Sequence, residues 1–289
     1  MSTVKHLLIG LPATGKTTFL AALWHVVNSV EVPGSLVLER LEGDREYLDD
    51  ITNAWLRFEE VPRTSGEMQP TRMRLREPTG GEAVELVIPD ISGETYRSQW
   101  IERQWTQEFA EVVAEAGGML LFIHPRTVRD PVTIRAVAHL VDVGVETEAP
   151  PGEWEPENSP TQVQLVDLLQ FLAQALPAPR PTPLAVMVSA WDVVQSQAGT
   201  LRHDVPTADE WIRQRLPLLH QYLEANPETF LVRCYGVSAQ GGDVAKKTDR
   251  ERLYGVTSAA DRICVWIDGN CVPDITEPIR WVMRTPRTR

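Results

Sequence analysis

The sequence has few cysteines and no long apolar run. Its three cysteines are odd in number and lack the paired spacing of a zinc site, so we expect reduced thiols in a cytoplasm. The longest apolar run, residues 117–123, is far shorter than the ~20 residues of a membrane-spanning helix. The N-terminus also lacks a basic stretch followed by an apolar segment, which is the pattern of a secretion signal. We therefore expect a cytoplasmic protein without a membrane partner.

Basic residues are scarce as well. Lysine and arginine number 28 against 40 aspartates and glutamates, which gives a formal net charge of −12. An acidic surface repels phosphate backbones, so nucleic acid is not expected as a partner. Nucleotide binding is not excluded, because a local cradle of backbone N–H groups matters more there than the global charge.

Strand-like and helix-like segments alternate along the chain. Residues 5–9 form a short apolar run followed by glycine, and apolar side chains then recur at helical spacing up to residue 30. Further apolar runs at 117–123, 184–188 and 230–235 alternate with helical patterns. This order predicts an α/β fold with a mostly parallel sheet and helices on both faces.

Other elements follow from local signals. Two runs separated by a turn-rich stretch predict a hairpin, and Thr207 with Glu210 forms a capping box that begins a helix, which Pro217 should split. The hairpin strands are predicted at 71–76 and 83–88, and further helices at 44–60, 101–116, 161–176 and 277–283.

The spacing of these elements favours one domain over residues 1–289. Its core is expected at about 5–240, with insertions at about 31–62 and 125–160 and a C-terminal extension at 241–289. The second insertion is acidic and rich in proline, which is typical of a surface excursion.

The strongest motif is a phosphate-binding loop. The run Gly-Leu-Pro-Ala-Thr-Gly-Lys-Thr from Gly10 matches G-x-x-x-x-G-K-[ST] and lies between a predicted strand and a helix. Its backbone N–H groups and the helix N-terminus favour phosphate, Lys16 neutralises phosphate charge, and Thr17 offers its hydroxyl to Mg²⁺. The phosphate-binding residues predicted from this loop are Gly10, Ala13, Thr14, Gly15, Lys16, Thr17 and Thr18.

A second motif follows the strand predicted at 83–88. There Asp90-Ile-Ser-Gly93 reads D-x-x-G, with the aspartate at the strand end, where it can hold Mg²⁺ through water. The N–H of Gly93 can contact the γ-phosphate. That contact exists only with the triphosphate, which is the physical basis of a conformational switch.

Two further segments are suited to reading a base. Asp192 follows the strand at 184–188, and its carboxylate can accept both the ring N–H and the exocyclic amine of guanine. Adenine does not present these two donors together. The strand at 230–235 leads to Ser238 and Ala239, whose backbone can contact guanine O6. The alternative that Asp192 only caps a turn stays open.

These four segments, in this order, resemble the signature set of Ras-like P-loop GTPases of the translation-factor-related class. The opening of the chain, together with the helix-bearing insertion, is similar to the bacterial double-GTPase domains of conflict and signalling systems. The resemblance implies a Ras-like core that binds GTP or GDP with Mg²⁺ and a protein effector or regulator. Association with another GTPase domain is a further option. The family's N/T-K-x-D motif corresponds here to residues 189–192. Ser189 can partly replace the hydrogen bonds of the first motif residue and is predicted to take part in nucleotide binding. One departure is Ala190, which stands where the family has a lysine whose stem covers the base. Either guanine affinity is reduced or another side chain covers the ring.

The catalytic residues implied by the resemblance are Lys16, Glu94 and Arg63. Glu94 occupies the position of the glutamine that orients the attacking water, and its charge beside a polyanion predicts slow hydrolysis. The alternatives are that Glu94 points to solvent and that Arg63 is a solvated surface charge. Thr64 is favoured over Thr71 as the switch threonine on Mg²⁺, because Thr71 belongs to a predicted strand.

The sequence thus predicts a GTP-binding switch protein with slow, Mg²⁺-dependent hydrolysis that signals to a protein partner. Two other functions stay open. One is an ATP-dependent enzyme, either an ATPase or a small-molecule kinase, because the base segment lacks its lysine. The other is an interaction module that binds nucleotide without hydrolysing it.

Overall fold

The computed structural model describes residues 4–29, 31–59, 71–81, 83–89, 98–131, 156–178, 181–198 and 205–285. Within these ranges the strands form one sheet in the order β2-β3-β4-β1-β5-β6-β7-β8-β9. The strands are β1 Val4–Gly10, β2 Val37–Glu42, β3 Thr71–Arg76, β4 Ala83–Ile88, β5 Ala116–Ile123, β6 Thr182–Ser189, β7 Phe230–Ser238, β8 Cys264–Ile267 and β9 Asn270–Val272.

The centre of the sheet is parallel. Strands β4, β1, β5, β6 and β7 run in one direction, and an antiparallel pair extends the sheet at each edge. All residues of β5 and β6 are buried, as expected for parallel strands that are covered on both faces. The carboxyl ends of the five parallel strands consequently meet at one edge of the sheet.

Helices cover both faces, as predicted. They are α1 Lys16–Ser29, α2 Arg45–Leu56, α3 Gln107–Ala114, α4 Thr161–Ala175, α5 Trp191–Gln197, α6 Ala208–Arg215, α7 Pro217–Ala225, α8 Lys247–Tyr254 and α9 Glu277–Arg284. Apolar side chains of α1, α2 and α9 form one core cluster, and those of α3 to α7 form the other. Along β5 the side chains alternate between the clusters: Leu120 and Phe122 join the first, and Met119 and Leu121 the second.

Most locally specified elements lie where the sequence predicts them. The hairpin strands coincide with β3 and β4. Thr207 and Glu210 form the capping box of α6, and Pro217 begins α7 after a break at Leu216. The prediction of a continuous helix over 101–116 is wrong, because Arg103 adopts a left-handed φ of 56° and Thr106 caps a new, shorter helix.

The C-terminal residues contribute to the sheet and to its core. Strands β8 and β9, which the sequence did not predict, extend the sheet beyond β7. Helix α9 buries Ile279 and Val282 in the first core cluster. The Cγ1 atom of Val282 lies only 2.2 Å from the position that a Cβ on Gly118 would take.

The expectation of reduced thiols is wrong for two of the three cysteines. Cys264 and Cys271 form a disulfide across the β8–β9 hairpin, which brings their Cα atoms to 5.6 Å, and Cys234 is a free thiol. The pairing follows from a hairpin that the sequence did not reveal. Among the described ranges, none of the helices combines the length and apolarity that crossing a membrane requires.

Candidate functional site

The phosphate loop joins β1 to α1 at the carboxyl edge of the sheet. Two of its turns require glycine. At Gly10, with φ of 150°, an added Cβ would lie 2.6 Å from the carbonyl oxygen of Phe122. At Gly15, with φ of 86°, it would lie 3.0 Å from Oγ of Ser189. The loop can therefore pack closely on both neighbouring strands only with glycine at these positions.

The side chain of Lys16 folds back over the loop. Its Nζ donates to the carbonyl oxygens of Gly10 and Leu11, both at 2.8 Å. Thr14 closes the same turn, because its hydroxyl donates to Leu11 O at 2.8 Å. Burial lowers the pKa of Lys16 to about 8. Among the described residues the partners of the amine are neutral oxygens, a setting that an anion would stabilise.

The start of α1 is suited to an anion. Its first turn contains no acidic side chain, and the first backbone bond into the helix is from Phe19 N to Gly15 O. The N–H groups of Lys16, Thr17 and Thr18 precede that donor and have no acceptor within the helix. Ala13, in the loop just before the helix, has a left-handed φ of 58°. These predicted phosphate-binding residues are therefore together in one turn, as helix N-terminal phosphate sites require.

Ser189, at the end of β6, connects the phosphate loop to the sheet. Its buried hydroxyl lies 2.8 Å from the carbonyl oxygen of Thr14 and 3.2 Å from that of Ile123. The single hydroxyl hydrogen is shared between these two acceptors. Ser189 therefore fixes the distance between the phosphate loop and the ends of β5 and β6.

Asp192 contacts a residue that is distant in the sequence. Its Oδ1 accepts a hydrogen bond of 2.8 Å from the hydroxyl of Ser238, which ends β7. The Ser238 hydroxyl in turn accepts from the N–H of Gly241 at 3.2 Å. Asp192 does not cap α5, because the capping position is Ala190, which has a left-handed φ of 46° and no side-chain cap. The structure thus brings the predicted base-binding residues together across two strands.

Helix α2 contacts the predicted base-binding residues at the end of β7. Nothing in the sequence indicated this contact. The indole Nε1 of Trp55 donates to the carbonyl oxygen of Ala239 at 3.1 Å, and the side chain of Gln240 donates to Trp55 O at 3.3 Å. The guanidinium of Arg262 lies 4.4 Å from the ring centroids of both Trp55 and Phe58. The helical spacing of residues 44–60 indicated that Trp55 is buried, but it contained no signal for its partner.

Basic residues at the end of β5 were also missed. A 3₁₀ turn, Pro125–Thr127, follows β5 and packs against α5, and His124 caps it by accepting from the N–H of Arg126. Nη2 of Arg126 donates to Oδ2 of Asp243 at 2.6 Å. The only signal in the sequence was that residue 124 directly follows a strand that ends at the edge carrying the phosphate loop.

Several predicted site residues lie outside the described residues. They are Arg63, Thr64, Asp90, Gly93 and Glu94. Thr71, the alternative switch threonine, is buried as the first residue of β3, in agreement with its predicted place in a strand. The described part of the predicted site consists of the phosphate loop and the residues predicted to bind the base, and both lie at the carboxyl edge of parallel strands, where α/β sheets bind ligands.

Comparison with solved structures gives low-similarity alignments to nucleotide-binding proteins. The chain is similar to the G domain of the T. maritima FeoB iron transporter, at 10% identity over 88% of this chain and 98% of that chain, with a TM-score of 0.32. It is similar to the signal recognition particle receptor complex SRb-GTP/SRX from Chaetomium thermophilum, at 15% identity, 87% and 98% coverage and a TM-score of 0.37. It is also similar to Sup35 complexed with GDP, at 13% identity, 84% and 38% coverage and a TM-score of 0.35.

Comparison with curated proteins finds no match. The family model described as Double-GTPase 1, in contrast, matches residues 7–282. This match begins within β1, includes the phosphate loop and both base segments, and ends within α9. The chain therefore belongs to the Double-GTPase 1 family, a family of GTPase-type domains.

Proposed function

We propose that this protein is a GTP-binding switch that hydrolyses GTP slowly with Mg²⁺ and passes its nucleotide state to a protein partner. The observation that carries the proposal is the pairing of Asp192 with Ser238 beside the phosphate loop. A carboxylate held at the ends of β6 and β7 is placed to receive a base whose phosphates lie on the loop between β1 and α1.

Phosphate binding would use groups that are already in place. Among the described residues the amine of Lys16 contacts neutral oxygens of the loop, and it can exchange those weak contacts for phosphate oxygens. The N–H groups at the start of α1 that have no acceptor within the helix add the positive end of the helix dipole. Ser189 limits the movement of the loop, so little conformational entropy is lost on binding.

Guanine selection would depend on Asp192. The guanine edge presents two N–H donors side by side, and a carboxylate accepts both. Adenine presents an acceptor nitrogen at the equivalent ring position, which repels the carboxylate. The hydroxyl of Ser238 holds the carboxylate in place. Trp55 anchors the Ala239 carbonyl, which would steady the backbone that is proposed to contact guanine O6.

The oxygen donors fit a magnesium ion. Among the described residues the Thr17 hydroxyl makes no hydrogen bond, and it lies one residue after Lys16 in the first turn of α1. Thr64 and Asp90 would complete a set of oxygen donors, the chemistry that Mg²⁺ prefers. When bound, the ion would neutralise the charge of the β- and γ-phosphates.

The hydrolytic step is proposed to be slow. Glu94 would hold the attacking water in line, while its negative charge would be repelled by the triphosphate and so disfavour the reactive arrangement. Arg63 would supply compensating positive charge. Single-turnover hydrolysis by E94Q is expected to be faster than in the wild type, and an unchanged rate would remove Glu94 from the mechanism.

The decisive test is calorimetric titration with non-hydrolysable GTP and ATP analogues plus Mg²⁺. The wild type should bind the GTP analogue at least tenfold more tightly, which corresponds to about 1.4 kcal/mol. D192N should lose this preference and favour a xanthosine nucleotide, whose C2 carbonyl can accept from the new amide. K16A should lose affinity for both analogues. D130N, at an exposed ion pair, is the matched control and should behave like the wild type.

Equal affinity for the two analogues, or tighter binding of ATP, would refute guanine recognition and favour an ATP-dependent enzyme. The switch role is tested separately. If a partner binds the diphosphate-bound and the triphosphate-bound protein with the same affinity, the switch role is refuted. The protein would then be an interaction module that binds nucleotide without switching.

A further inference from the structure

An ion pair joins the strands on either side of β6. Arg126 follows β5, and Asp243 lies in the loop after β7. In the sheet β5 and β7 are both neighbours of β6 and not of each other. Because adjacent strands are ~4.8 Å apart, the pair spans roughly 10 Å and passes the carboxyl end of β6. Ala190 stands at that end with a side chain too short to cover anything.

Asp243, which anchors this ion pair, is itself held by hydrogen bonds. Oδ1 of Asp243 accepts from the N–H of Ala245 at 3.0 Å, and its own N–H donates to Oδ2 of Asp249 at 3.0 Å. The Asp243 side chain is only 15% exposed, whereas that of Arg126 is 51% exposed. The carboxylate is therefore fixed, and about half of the guanidinium side chain remains accessible to a ligand.

Arg126 is close to Asp192 without being bonded to it. Its pKa is raised mainly by the hydrogen bond from its guanidinium to Asp243, and the negative charge of Asp192 raises it further. His124 is influenced by the same two groups: burial and the charge of Arg126 lower its pKa, and the charge of Asp192 opposes them. Since Arg126 is bonded to Asp243, the carboxylate of Asp192 is not neutralised by direct contact and stays available to a base.

We propose that Arg126, held by Asp243, lies against the face of the guanine ring and supplies the cover that Ala190 cannot. A guanidinium is planar and stacks on aromatic rings, and its positive charge is favoured by their π-electrons. This inference rests on the proposed function, in which the base lies at Asp192.

The test is the affinity of the full chain for GDP with Mg²⁺, measured by calorimetry. R126A should bind GDP about tenfold more weakly than the wild type. D243N keeps the arginine but loses its anchor, so a smaller, several-fold loss is expected. R126K keeps a positive charge and loses the planar face, so it should stay weakened. R215A is the matched control, because it removes an exposed arginine whose ion pair is with Asp130 and not with a predicted base-binding residue, and it should bind GDP normally.

Inorganic triphosphate, which has no base, distinguishes contacts with the base from contacts with the phosphates. The affinity of R126A for inorganic triphosphate with Mg²⁺ should equal that of the wild type. A loss as large as that for GDP would overturn the inference, because Arg126 would then act on phosphate charge. GDP binding by R126A at the wild-type affinity, or full restoration by R126K, would overturn it as well.

The proposed function and this inference fail in different ways. A wild type that does not prefer GDP to ADP refutes guanine recognition, and the role of Arg126 falls with it. A wild type that prefers GDP, combined with an unaffected R126A, refutes only the role of Arg126. Thermal midpoints of R126A and R215A that agree with each other would show that a loss of binding by R126A does not come from unfolding.

Discussion

Replacing Ser189 by alanine removes the hydroxyl that connects the phosphate loop to the sheet. Ser189 is 6% exposed, and its Oγ lies 2.8 Å from Thr14 O and 3.2 Å from Ile123 O. The substitution leaves two buried carbonyls that have lost their shared donor. A buried hydrogen bond contributes ~1 kcal/mol, and leaving its partner unsatisfied costs ~1–3 kcal/mol. We therefore expect the free energy of unfolding of S189A to fall by about 2 kcal/mol.

The assay is urea unfolding of nucleotide-free protein, followed by tryptophan fluorescence. S196A is the control, because the Ser196 hydroxyl donates at 2.8 Å to Val193 O within the helical turn of α5. Such a local bond stabilises little, so S196A should stay within about 0.5 kcal/mol of the wild type. S189A should also bind GDP several-fold more weakly, because the Thr14 carbonyl loses its anchor. Equal stability and equal GDP affinity of the two variants would refute the reasoning.

Three further predictions test the site and the core. W55F loses the 3.1 Å hydrogen bond to Ala239 O. Calorimetry should show several-fold weaker binding of GDP and unchanged affinity for inorganic triphosphate. A loss of affinity for both ligands would contradict the role of Trp55 in supporting the predicted base-binding residues. Burial lowers the pKa of Lys16 to about 8, and bound phosphate favours the charged amine. Nucleotide affinity should thus be close to its maximum at about pH 7, roughly halved at about pH 8 and lower by up to about tenfold at about pH 9; a flat titration profile would exclude this charge from binding. G118A places a Cβ 2.2 Å from Cγ1 of Val282 and should lower the free energy of unfolding in urea by ~1–3 kcal/mol. The double variant G118A/V282A should recover part of that loss. No recovery would mean that the strain lies elsewhere.

Motifs that act over a few residues could be predicted from the sequence. The phosphate loop needs glycines at Gly10 and Gly15 and a lysine at the helix start, and these requirements hold within one turn of chain. The hairpin of β3 and β4 and the split at Pro217 also follow from short-range rules. Strands β8 and β9 were missed because runs of 4 and 3 residues carry too weak a pattern.

Residues at the ends of neighbouring strands could be predicted in type but not in their contacts. Asp192 and Ser238 were each identified after an apolar run, and only the pairing of β6 with β7 shows that they are bonded. The order of strands in the sheet decides which strand ends are neighbours, and no local pattern of the sequence reports that order.

The α/β class and the phosphate-loop motif could be recognised from the sequence alone, because glycine turns, helix starts and strand ends have local residue requirements, and the base-binding residues stay a prediction. Three contacts became visible only in the assembled fold: Trp55 with Ala239, Arg126 with Asp243 across β6, and Cys264 with Cys271. The partners in the first two pairs are 184 and 117 residues apart. Such contacts depend on how the whole sheet assembles, and the free energy that selects them comes from burying two core clusters at once.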